Sequence, residues 1–176
     1  MTAADTAGSP ASPVAVPPGR RLGVALAVAA VIVALDVATK HWAVNALADQ
    51  RPRHVGWTLQ WNLSYNTGMA FSSGQGMGRI IGLLAVVIAV VVLRAVRTVD
   101  SRVAIVAGGL VAGGALGNVI DRLFRNDGWM SGAVIDFIDF QWFPIFNVAD
   151  IAVNVGGGLF ILWSVFGHHP TEEAAS

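Results

Sequence analysis

The sequence of 176 residues contains no cysteine, which excludes a disulfide framework, a thiol nucleophile and thiolate metal sites together. It has little charge: 12% of the residues are Asp, Glu, Lys or Arg, and eleven basic residues cancel eleven acidic ones. A chain without net charge offers no electrostatic footprint for nucleic acid, so no nucleic-acid partner is expected. No HExxH is present, which removes the usual ligand set of a zinc peptidase. The histidines are His41, His54, His168 and His169, and none accompanies a GxS motif within an apolar segment. Serine–histidine hydrolysis therefore has no constellation to act through.

What the chain has instead is apolar residues, 55% of the total, the composition of an integral membrane protein. At about 1.5 Å per helical residue, four segments are long enough to cross ~30 Å of hydrocarbon. They are expected at about 22–40, 77–96, 103–122 and 147–166, within a single membrane domain spanning 20–167. Residues 1–19, rich in Ala, Pro, Ser and Thr, read as a disordered tail, and 168–176 as a second, short tail. Arg20-Arg21 before an apolar run also fits a cleaved signal peptide. Asp36 and Lys40, placed i,i+4 on one helical face, and the three further spans favour a retained first helix. Arg20, Arg21, Arg94, Arg97 and Arg102 mark one side as cytoplasmic, but Arg51, Arg53, Arg79 and Arg125 nearly balance them, so charge does not fix the orientation.

Between the first two spans, Val55, Trp57, Leu59, Trp61, Leu63 and Tyr65 alternate with small or polar residues. This period of two predicts one or two strands at about 53–66 with a single apolar face. Open strand edges cannot sit in lipid, so this element belongs outside the hydrocarbon, with its aromatics at headgroup level. Gly109, Gly113 and Gly117, with Gly108 and Gly114 beside them, predict a close helix contact in the third span. The glycine-rich stretch 66–78 is expected to form a flap over a bound peptide, with a rigid turn as the alternative.

If the spans alternate in direction, Asp36 and Lys40, then Asn118, Asp121 and Arg122, then Asn147 and Asp150 converge on one face, where Asp136 joins them. A charge at membrane depth costs roughly 2.5–3.5 kcal/mol on insertion scales, so such a gathering points to function. Asp136 and Asp150 are separated by a short aromatic linker containing Pro144 that can fold back. Two neighbouring carboxylates in a low dielectric share one proton, which suits water-mediated peptide hydrolysis. A plainer reading stands beside it. Asn147 and Asp150 have the spacing of a helix cap, Asp136 and Asp139 that of solvated loop acids, Asp121-Arg122 that of an interfacial ion pair, and Asn154 that of an interhelical hydrogen bond. A magnesium site among Asp121, Asp136 and Asp150 in an enzyme acting on lipid phosphate, and a small transporter or proton-relay subunit, also remain open. No inverted repeat supports the transporter.

DVATK (36–40), NTGMAF (66–71), GGALGNVIDR (113–122), VIDF (134–137) and FNVAD (146–150) occur in this order. Together they resemble the lipoprotein signal peptidases, or signal peptidase II, the bacterial membrane aspartic peptidases. The resemblance implies a membrane all-α fold, a four-transmembrane-helix bundle with a small extracytoplasmic β-cradle. It places both termini in the cytoplasm, and the active site at the extracytoplasmic face of the bacterial cytoplasmic (inner) membrane. It implies Asp136 and Asp150 as catalytic aspartates, with Asp36, Lys40, Asn66, Gly114, Asn118, Asp121, Arg122, Asn147 and Ala149 supporting the site. Asp139 matches no catalytic position. The implied reaction cuts a prolipoprotein just before a diacylglyceryl-modified Cys. It needs no metal or other cofactor, is carried out by a monomer in contact with membrane lipid, and is a target of globomycin-type cyclic peptide inhibitors.

Overall fold

A computed structural model describes residues 17–68, 77–125 and 128–167. The elements are α1 (Pro18–Ala46), β1 (Arg53–Gly56), β2 (Leu59–Asn66), α2 (Gly78–Ala95), α3 (Arg102–Phe124), β3 (Val134–Asp139) and α4 (Val148–Phe166). All four helices are long and apolar enough to cross a membrane. The flap expected at 66–78 falls largely on 69–76, outside the described residues, as do the tails expected at 1–19 and 168–176 except for 17–19, where Pro18 and Gly19 open α1 instead of belonging to a disordered tail.

α3 is the central helix: 61% of its apolar window is buried, against 17% in each of the other three. Its composition explains the position, because glycines on two of its faces admit two neighbours at backbone distance. A Cβ on Gly109 would lie 2.7 Å from the Ala25 carbonyl oxygen, and one on Gly113 2.8 Å from that of Ala29, so this face presses on α1. Gly114 faces the Ala149 carbonyl and Val153, drawing in the start of α4. α2 packs on α3 but hardly touches α4, which leaves a gap between those two helices among the described residues.

α1 departs from its expected bounds at both ends. It starts at Pro18 rather than Leu22, with proline in its first turn, where the missing N–H costs no helical hydrogen bond. It runs past Lys40 to Ala46, so Asp36 and Lys40 do not close the helix but lie within it. The extra turn and a half carries Ala43, which with Leu47 packs under Leu63, Ile135 and Phe137 of the sheet.

The sheet has three antiparallel strands in the order β1-β2-β3. The period of two predicts one or two strands where β1 and β2 lie but does not predict β3, because the VIDFID run is buried on both faces and shows no alternation. The single apolar face expected from Val55 to Tyr65 is also corrected. The chain turns at Trp57, whose φ is 50°, leaving that side chain 88% exposed, while Leu63 is buried. A register shift between Trp61 and Ser64 then divides the polar residues of β2. Gln60 and Asn62 turn to Asp139, and Asn66 to Asp136.

Candidate active site

The polar residues of α1, α3, β3 and α4 meet at one end of the bundle in a connected set. Lys40 is fully buried, and its Nζ has three oxygens around it: Asp36 Oδ2 at 2.7 Å, Asp121 Oδ2 at 2.8 Å and Asn118 Oδ1 at 2.9 Å. Among the described residues Asp36 Oδ2 accepts no well-formed hydrogen bond, and Lys40 is its charge compensation. The other oxygen of Asp36 accepts the Ala149 N–H at 3.0 Å, which ties α1 to the first turn of α4. Gly117 makes this possible, since a Cβ there would stand 2.6 Å from Asp36 Oδ2.

Asp121 does not pair with its neighbour Arg122, contrary to the plainer sequence reading. It bonds to Lys40, to Arg125 and to the Ile135 N–H of β3. With both its oxygens so engaged, Asp121 does not converge with Asp136 and Asp150 on a common ion; among the described residues no group of three ligands suits a metal. Arg122 instead donates to the Asn118 carbonyl at 3.1 Å and to the Gly68 carbonyl at 3.3 Å. It thereby holds the chain just beyond Asn66.

Asp136 and Asp150 are joined through amides. Asn147 Nδ2 donates to Asp136 Oδ1 at 2.6 Å and to Asn118 Oδ1 at 3.1 Å, and Asn118 Nδ2 donates to Asp150 Oδ1 at 2.8 Å. Asn66 Nδ2 donates to the second oxygen of Asp136 at 3.1 Å. Asn147 and Asp150 also form the expected capping box of α4, with reciprocal bonds of 2.9 and 3.1 Å. The cap and the polar cluster are thus one structure, not competing readings. Asn154 belongs to neither: it donates to the Asp150 carbonyl one turn back.

Asp136 lies in β3, outside the spans. Burial, then the charge of Asp150, pushes its carboxyl from 3.8 up to about 7, with the amides of Asn66 and Asn147 and the Lys40 charge opposing the rise. Two clefts open on this pair and share Asn66, Asp136, Asp150 and Asn154. One, about 440 Å³, lies between residues 143–146 and α4 and is otherwise apolar. The other, about 290 Å³, lies in the gap between α2, α3 and α4 and carries Asn118, Arg122 and Gly68 beside apolar residues.

The structure brings every site residue named from sequence into this cluster or its supporting contacts. Sequence reasoning missed Arg125, which it counted only as a loop charge although its i,i+4 spacing from Asp121 was visible. It also set aside Asp139, which lies outside the cluster. Asp139 accepts from Gln60, Asn62 and the Gln141 N–H, and these bonds outweigh burial and hold its carboxyl below the usual range.

Comparison with known proteins follows the same residues. A family model described as signal peptidase (SPase) II matches residues 28–166. The chain is 38% identical over 168 residues to the lipoprotein signal peptidase of Mycobacterium tuberculosis (strain ATCC 25618 / H37Rv), covering 95% of this chain and 83% of that one. It is 40% identical over 167 residues to that of Rhodococcus jostii (strain RHA1), covering 94% and 83%. A solved structure described as a bacterial membrane enzyme superposes with a TM-score of 0.74 at 26% identity, covering 88% of this chain and 94% of that one.

Proposed function

The chain belongs to the signal peptidase II family of multi-pass membrane peptidases, which remove the signal peptide from prolipoproteins, and from that premise we propose that Asp136 and Asp150 are its catalytic pair. The observation that carries this reading is the Asn147–Asn118 amide bridge, which links the two carboxylates where both clefts meet.

The charges of the cluster are consistent with one shared proton. Lys40, Arg122 and Arg125 are positive, Asp36 and Asp121 neutralise two of them, and a single negative charge on the pair completes the balance. The proton resides on Asp136, whose carboxyl is pushed up to about 7. Asp150 takes the role of base: it stands in the first turn of α4, where its second oxygen accepts from the backbone N–H of Asn147. Asp150 removes a proton from water, whose oxygen attacks the scissile carbonyl carbon while Asp136 gives its proton to the carbonyl oxygen. Asp150 then passes its proton to the leaving amine, the C–N bond breaks, and Asp136 recovers a proton from the diol. The products are a signal peptide ending in a carboxylate and a lipidated Cys with a free amine.

The two clefts divide the substrate. The 440 Å³ cleft receives the acyl chains: it is mainly apolar and bordered by Ile151 and Val155 on the outer face of α4, so chains enter it sideways from lipid. The 290 Å³ cleft receives the peptide, for which Asn118 and the Arg122-bound Gly68 carbonyl supply polar contacts. A globomycin-type cyclic peptide would compete for this ground. Acyl burial at roughly 0.8 kcal/mol per CH₂ makes the diacylglyceryl group a requirement. The site lies at the extracytoplasmic face of the bacterial cytoplasmic membrane, and each monomer carries a complete one. The test is incubation of purified protein with diacylglyceryl-modified and unmodified prolipoprotein, followed by mass spectrometry. Cleavage just before the modified Cys alone is expected, and equal turnover of the unmodified precursor would overturn the requirement.

A further inference from the structure

The residues after β3 form a closed aromatic loop. Phe146 pairs back on Ile138 through bonds of 3.1 and 2.9 Å, closing the loop at its base. Above it Phe140, Trp142, Phe143 and Phe146 touch in a ring, with centroid separations between 5.8 and 6.0 Å. The inner side of the loop, Phe143 to Phe146, is one wall of the 440 Å³ cleft that holds Asp136 and Asp150. Its outer side leaves Trp142 70% exposed.

Asp139 stands at the root of this loop and fastens it to the hairpin. Its Oδ2 accepts from Gln60 Nε2 at 2.7 Å and Asn62 Nδ2 at 2.9 Å, both on β2, and its Oδ1 accepts from the Gln141 N–H at 2.6 Å. That last bond accompanies a left-handed φ of 66° at Gln141, a conformation L-residues avoid without such support. The turn it makes sends Gln141 Nε2 to the Thr58 carbonyl at 3.0 Å and Trp142 Nε1 towards Thr58 Oγ1 at 3.4 Å, at the hairpin tip. Three donors on one buried carboxylate therefore set where the aromatic wall stands, at a distance from the reacting groups. The protein spends an inward-facing charge here that plays no part in the proton transfers.

We propose that Asp139 is a positioning residue for the peptidase reaction: it holds the Phe140–Phe146 loop as a rigid wall against which the acyl chains of the lipidated substrate pack. The inference rests on the assignment of the 440 Å³ cleft to those chains. A fixed wall binds the chains equally in the ground and transition states, so loosening it raises KM and leaves kcat.

The experiment compares steady-state cleavage by the wild type, Asp139→Ala, Asp139→Asn and Gln60→Ala, using synthetic lipopeptides with palmitoyl or butanoyl chains on the glyceryl group. Asp139→Ala is expected to raise KM for the palmitoyl substrate about tenfold, with kcat within about twofold and little change for the butanoyl substrate. Asp139→Asn keeps one acceptor oxygen and should recover part of the loss. Gln60→Ala removes one donor from a partly exposed position, and should raise the palmitoyl KM about threefold even if Asp139→Ala does not fold. A fall in kcat at constant KM, an equal effect on both chain lengths, or wild-type kinetics in Gln60→Ala would overturn the proposal. A wild-type KM indifferent to chain length would overturn the cleft assignment itself, a failure visible before any variant is made.

Discussion

The side-chain amide of Asn147 donates to Asp136 at 2.6 Å, while the backbone N–H of the same residue donates to Asp150 at 3.1 Å. One residue therefore fixes both carboxylates, and losing it should separate stability from activity. Asn147→Ala removes the cap and leaves Asp136 and Asn118 each without one donor, so a loss of about 1–3 kcal/mol is expected. Its kcat should fall roughly 100-fold, because a carboxylate displaced by even ~1 Å is badly placed. Thermal unfolding in detergent and single-turnover cleavage check the two figures.

Lys40 tests the support beneath the pair. It is fully buried and compensates both Asp36 and Asp121, so Lys40→Met leaves two carboxylates facing each other without a cation between them. A loss of about 3–5 kcal/mol is expected, as for the breaking of other buried ion pairs. Chemical denaturation in mixed micelles measures it, and a fully stable variant would show the cluster to be less tightly coupled than its geometry indicates.

The glycine seam of α3 should tolerate no added carbon where it meets α1. A Cβ at Gly113 lies 2.8 Å from the Ala29 carbonyl oxygen and 2.9 Å from Ala29 Cα, and backbone cannot yield as a side chain does. Gly113→Ala is expected to cost about 1–3 kcal/mol as overpacking. Gly157→Ala, where a Cβ meets nothing within 4 Å, is the control and should be neutral or better.

The elevated carboxyl of Asp136 gives a pH signature. Its proton is lost as the pH rises through about 7, so kcat/KM should fall on that alkaline side. Asn66 supports the charged form through its 3.1 Å bond; Asn66→Ala should therefore move the limb to higher pH. The same proton is linked to folding. Between 3.8 and about 7 the folded chain holds a proton that the unfolded chain has released, so this group's contribution to stability declines as pH rises across that window. A pH–rate profile alongside pH-dependent unfolding reads both.

Much of this arrangement was legible in the chain, for physical reasons that differ by residue. Lys40 and Asp36 announce themselves by being ionisable inside an apolar helix, and the capping box of Asn147 and Asp150 is a local pattern. The α3 glycines likewise foretell a close contact, though not that one face meets α1 and the other α4. What stayed hidden depends on long-range packing. β3 lacks alternation because both its faces are covered, and two partners of Asp121, Lys40 and the Ile135 N–H, come from α1 and β3. The turn at Trp57 interrupts an alternation that sequence carries straight through.

If Asp136 and Asp150 carry the chemistry, turnover of a diacylglyceryl-modified prolipoprotein by purified Asp136→Asn and Asp150→Asn reads it without intermediary. Each change keeps the size of the side chain and removes the shared proton or the base. Both variants should insert and fold with near-wild-type thermal stability and yield no cleaved signal peptide by mass spectrometry. Near-wild-type turnover by either stable variant would show that the reaction does not depend on this pair.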